Sequence, residues 1–159
     1  MRHSRLSMSR YEFLVFIHVL AAAAWFGAAL LAIVLLEVAT HASDTPWIVR
    51  LGGYDEKLAQ FLFIPSAIIT LLAGLALVFD GPWSFSEDGW VIAGLVLFFG
   101  IFALGLGLIV PAGKKLAALA KGDASAADVQ EQIGKLRMLS WIDVGLLAAA
   151  IFFMTTKPF

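Results

Sequence analysis

The sequence predicts an all-α integral membrane protein, folded as an antiparallel four-helix transmembrane bundle. Three observations carry that prediction. The first is composition: of 159 residues, 61% are hydrophobic and 14% charged, and the mean hydropathy is +0.91. Soluble domains average about 45–50% apolar and about 25% charged. A soluble domain of this size buries only about 70% of the surface its chain exposes, too little to keep so much apolar area from water. The second observation is four long runs poor in charge, each near the roughly 20 residues that cross a bilayer. The third is the helix punctuation at the ends of those runs. A net charge of −1 offers no basic patch for nucleic acid. The lack of cysteine excludes disulfides, iron–sulfur clusters, thiolate zinc and thiol catalysis.

The spans fall at about 11–38, 58–79, 89–111 and 139–156, in a single membrane domain covering 1–159. Ser9 to Glu12 is a capping-box pattern that opens the first helix. The basic stretch before it resembles a signal peptide, but the apolar run exceeds an h-region, so the sequence predicts a retained span. Thr45-Pro46 reads as the start of a short helix that Gly52-Gly53 would end. The second span carries Pro65, which removes a backbone donor and predicts a kink. Asp80 to Trp83 is a turn with an interfacial tryptophan. The third span ends near Pro111 and Lys114-Lys115. Ser125 to Asp128 is a second capping box. It opens an amphipathic extension over 125–138 that continues into the fourth span as one helix. Ala24 with Ala28, and Ala103 with Gly107, have the small-residue spacing of close helix crossings, which predicts a homo-oligomer.

The function rests on few residues. His18 is the one ionisable side chain well inside a span, so it is expected to be neutral and partnered. Tyr11, Ala22 and Trp25 share its helix face. Small Ala22 leaves space beside the imidazole, and Trp25 walls it. Two readings stand side by side: a histidine bonded across helices to Ser66, Thr70 or a carbonyl, and a ligand to haem iron or a metal ion. A proton-relay or substrate-binding histidine is a third. Ser66, Thr70 and Gly74 form a stripe suited first to helix contact. Glu37 is placed to pair with Arg50 or Lys57. Asp143 follows Ser140 at capping-box spacing, and is either a helix cap or a proton or ion site at the interface. Lys114 and Lys115 are either membrane anchors or partners for a propionate or lipid headgroup. Met8, Met138 and Met154 are too scattered for a copper motif. No nucleophile elbow, phosphate loop or dinucleotide fingerprint appears.

Several short motifs carry a resemblance. They are His18-x6-Trp25-x-Gly27, Phe63-Ile64-Pro65 with Gly74, Gly81-Pro82-Trp83, Pro111 with Lys114-Lys115, and the closing Met154 to Pro158. Together they resemble bacterial four-span membrane proteins of unknown function, grouped with copper-resistance D-like proteins and HemJ-type protoporphyrinogen oxidases. The resemblance implies haem b with His18 as axial ligand, and a redox or haem-handling role in the bacterial inner membrane with a membrane redox partner. A small-solute or metal-ion permease using His18 and Asp143 is the alternative. An accessory subunit without a ligand is another. Arg2, Arg5, Arg10 and Lys157 flank one side. Arg50, Lys57, Lys114, Lys115, Lys121, Lys135 and Arg137 flank the other. Positive charge gathers in the cytoplasm, so the termini are expected in the periplasm.

Overall fold

The computed structural model describes residues 9–122 and 125–158, of which 52–56 are described by their backbone alone. Arg2, His3, Arg5 and Met8 lie outside the described residues. The elements run α1 (Arg10–His41), α2 (Thr45–Leu58), a π turn (Ala59–Phe63), α3 (Ile64–Asp80), α4 (Gly89–Leu104), a second π turn (Gly105–Ile109), α5 (Val110–Leu119) and α6 (Ala126–Thr156). No strand occurs among the described residues. Four helices are long and apolar enough to cross a membrane: Arg10–His41, Ala59–Asp80, Gly89–Leu119 and Ala126–Thr156. The protein is an all-α membrane bundle, and successive spans run antiparallel.

Local signals set the ends. Both capping boxes form: Ser9 accepts from the Glu12 amide while Glu12 reaches back to Ser9, and Ser125 and Asp128 do the same. Asp44 caps α2, accepting from the Trp47 amide at 3.0 Å. Gly52-Gly53 does not end this helix. It continues through the π turn to Asp80, so the short helix expected after Pro46 is an extension of span two. Glycine inside a helix costs about 1 kcal/mol relative to alanine. Packing of α2 against α5 and α1 outweighs that preference.

Both helix-interior prolines sit two residues past a π turn. Proline lacks an N–H, and its ring collides with the carbonyl four residues back. A π turn shifts that carbonyl out of the way by inserting one residue. Ile64 donates to Ala59 and Val110 to Gly105, each five residues back. Pro65 and Pro111 follow immediately. The kink expected at Pro65 is therefore a π turn, and a second one precedes Pro111.

The core runs along the bundle axis through Trp25, Ile33, Leu36, Ala67, Ile101, Leu116, Ile133, Leu136 and Leu147. α1 packs chiefly on α3, and α4 on α6. One end gathers the start of α1, the α3–α4 loop and the end of α6. Arg10 pairs there with Asp80 at 2.8 Å. The expected close crossing at Ala103 and Gly107 is not made within the chain, since both face outward. A Cβ on Gly107 would meet no atom within 4 Å. Of the other expected pair, Ala24 is likewise exposed and Ala28 is half-buried.

Candidate functional site

His18 lies about 12 Å along α1 from Arg10, at 1.5 Å per residue. Its Nδ1 is 2.9 Å from the carbonyl oxygen of Thr70 on α3. A carbonyl only accepts, so Nδ1 carries the hydrogen and donates it. Nε2 is then left with a bare lone pair. Thr70 and Gly74 are one helical turn apart and meet the same ring. A Cβ on Gly74 would come within 2.9 Å of His18 Cε1, so the imidazole rests where a side chain would be. The Thr70 hydroxyl is buried and has no hydrogen-bond partner.

Two cavities border this histidine. One, of about 260 Å³, runs outward past Tyr11, Gly74, Trp83 and Trp90 to Lys157. The other, of about 270 Å³, runs inward past Ala22 and Trp25 to Leu147. Thr70, Gly94, Phe98 and Met154 border both. Together they reach the size of ligand pockets, roughly 300–1,000 Å³. The outer mouth is aromatic and cationic. Lys157 Nζ lies 3.7 Å from the centre of the Trp83 ring and 5.1 Å from that of Trp90. Trp83 Nε1 donates to the Tyr11 hydroxyl at 3.4 Å. Trp25 meets Phe98 edge-on, with ring centres 5.6 Å apart.

Trp25 and Ile101 also border a third cavity, deeper in the bundle and about 70 Å³ in volume. Ser140 and Asp143 of α6 line it, together with residues of both π turns. Asp143 is only 9% exposed. The cap reading for Asp143 fails, because α6 is unbroken from Ala126 to Thr156 and neither Ser140 nor Asp143 sits at a helix end. Residues 12–158 match the family described as "Predicted integral membrane protein (DUF2269)".

The chain belongs to this family. No curated protein and no solved structure matches it. The stretch shared with DUF2269 contains His18, Thr70, Gly74, Asp143 and Lys157.

The structure thus joins some expected site residues and separates others. Tyr11, His18, Ala22, Trp25 and Thr70 border the two His18 cavities. Ser66 is buried on the same α3 face but borders none of these cavities. Lys114 and Lys115 lie on α5, exposed and away from His18, so the cation at its cavity is Lys157 instead. Glu37 does not pair with Arg50 or Lys57. Its carboxylate takes Arg137 on both oxygens, at 3.0 Å from Nε and 2.6 Å from Nη2. It also accepts from Trp141 Nε1 at 2.9 Å. Among the described residues no group of three His, Asp or Glu side chains is placed to hold a metal ion.

Sequence reasoning missed Met154 and Lys157 as neighbours of His18. Their signal was faint: Met154 lies in the last turns of the fourth span, and Lys157 just past its end.

Proposed function

We propose that this protein binds haem b in the crevice around His18 and serves a redox or haem-handling role in a membrane. The observation that carries the reading is the hydrogen bond from His18 Nδ1 to the Thr70 carbonyl. A backbone carbonyl on one ring nitrogen fixes the tautomer and orients the other nitrogen as a ligand. The donor set supports a haem over a bare ion. A metal ion needs three or more protein ligands, and none are grouped among the described residues. A macrocycle brings four nitrogens of its own and asks the protein for one or two.

In this reading His18 Nε2 would hold the iron. Met154, whose thioether borders both cavities, stands as the second donor. Trp25 and Phe98 wall the apolar interior and exclude water. Lys157 at the outer mouth answers an acidic propionate. Bound iron supplies one-electron chemistry, and the chain sets its surroundings by donor choice and burial. The kinship to the copper-resistance D-like and HemJ-like superfamily belongs to this proposal. So do the bacterial inner membrane, periplasmic termini, a membrane redox partner, and association of copies through the small-residue spacings Ala24 with Ala28 and Ala103 with Gly107.

The test is the visible spectrum of the detergent-purified chain, as isolated and after adding hemin. A Soret band that His18→Ala abolishes is the expected result. A colourless chain that also fails to take up hemin sinks the proposal.

A further inference from the structure

We propose that Asp143 anchors a second site, independent of His18, that binds one small alkali cation. Four observations converge on it. The carboxyl group is more than nine-tenths buried and lines a cavity between the helices. Among the described residues, no donor hydrogen-bonds it and no cation pairs with it. A carboxylate inside a bilayer has to be neutralised by a partner. None of the other residues lining the cavity is ionisable, whether from α1, the first π turn, α4, the second π turn or α6. Among the described residues no counter-charge is supplied, so the charge is removed by a bound cation or by protonation of the carboxyl itself.

The walls supply the remaining oxygens. Ser140 lies one helical turn before Asp143 and lines the same cavity. The second π turn frees a carbonyl. Val110 spends its amide on Gly105, and Pro111 has none to give, so the Leu106 carbonyl loses both helical donors. Leu106 lines the cavity. The first π turn does the same to Gln60, through Ile64 and Pro65. Ala59 and Phe63 of that turn border the cavity, whereas Gln60 itself does not. Irregular backbone persists at membrane depth where it lines a polar cavity. Broken helices whose carbonyls hold sodium or a proton are the membrane solution to this problem.

Size and charge choose the occupant. About 70 Å³ holds an ion with one or two waters, given about 30 Å³ for each water in the liquid. It is too small for an organic ligand of ordinary size. A divalent ion demands six to eight oxygens and usually several carboxylates, and here there is one. Trp25 and Ile101 border both this cavity and the inner His18 cavity, so they partition the two sites.

The test is thermal unfolding of the full chain in detergent. The medium is varied through sodium, potassium or choline chloride at fixed ionic strength, and separately through pH. A ligand that binds the folded state raises the midpoint with saturation. The expected result is a saturable upward shift of several degrees with an alkali ion, absent in Asp143→Asn. A shift with falling pH alone, also lost in Asp143→Asn, reports only protonation of the carboxyl and would overturn the cation site. Ser140→Ala is expected to raise the concentration for half-saturation about tenfold, the loss of one oxygen held to a charge. It serves if Asp143→Asn does not fold. Identical responses of the wild-type chain and these variants to every medium would overturn the proposal. His18→Ala is expected to keep the cation response while losing hemin, so each proposal fails on its own measurement.

Discussion

The two ends of the bundle handle polar groups in opposite ways. At the Glu37 end the polar groups of Glu37 and Gln132 are spent inside the chain. Glu37 holds Arg137 on both oxygens and Trp141 as well, and buried Gln132 donates to the Ala112 carbonyl at 3.0 Å. At the His18 end the polar groups are half spent. His18 gives one nitrogen to Thr70 and keeps the other, the Thr70 hydroxyl has no partner, and Lys157 rests on tryptophan faces rather than on an anion. A fully satisfied network locks helices together. Groups left unsatisfied around a cavity are what a ligand completes. The difference teaches where structure stops and function starts in a chain with so few polar side chains.

Four substitutions break or sharpen that contrast. Gly74→Ala should have the largest effect on the His18 end. The new Cβ would sit 2.9 Å from His18 Cε1 and push the ring off the Thr70 carbonyl. Loss of a hydrogen bond that orients a ligand weakens binding by about 10–100-fold. A hemin titration checks it, and unchanged affinity would show that the Thr70 bond orients nothing. Arg137→Ala should cost about 1–3 kcal/mol of stability, because it strips a partly buried carboxylate of its main partner. Its thermal midpoint should fall while hemin affinity stays fixed. A coupled loss of both would dissolve the distinction between the ends.

Thr70→Val should act in the opposite sense. The hydroxyl is buried without a partner, so an isosteric methyl relieves a desolvation cost of about 1 kcal/mol. Ligand-free protein should unfold at an equal or higher temperature, and a clear drop would reveal a partner for that hydroxyl. Lys157→Ala comes last. An exposed charge contributes about 0–1 kcal/mol, so hemin affinity should fall by a few-fold at low salt and hardly at all at high salt. Loss greater than tenfold would make Lys157 a principal contact.

The fold was largely legible because the bilayer leaves so few solutions. Charge-free runs of about 20 residues mark spans, and Ser9 with Glu12 and Ser125 with Asp128 mark starts that the structure bears out. α6 is the least apolar of the four spanning helices, with mean hydropathy 1.8 against 2.5 or more. Ser140 and Asp143 lower that value, while the first half of α6, whose amphipathic character the spacing of Val129, Ile133 and Leu136 announced, carries too many charges to span. Partners were harder to read. Glu37 and Arg137 are 100 residues apart, and no local pattern links them. Asp143 looked like a cap because a capping box is defined by four residues, whereas burial is decided by three other helices. Proline announced a disturbance at 65, but periodicity does not say whether the helix kinks, breaks or takes in an extra residue. Lys157 lies at the edge of a span, where a cation ordinarily needs no explanation.

The π turn before Pro65 has a consequence for the phase of everything after it. One inserted residue turns the downstream helix by about 100° relative to an unbroken α-helix. Ser66, Thr70 and Gly74 meet α1 only with that rotation in place. Deleting a single residue between Ala59 and Phe63 would keep the span long enough to cross the bilayer. It would also swing the Thr70 carbonyl a quarter turn away from His18. The site around the imidazole is therefore set by a count of residues, one more than an α-helix needs, as much as by the identity of any side chain in it.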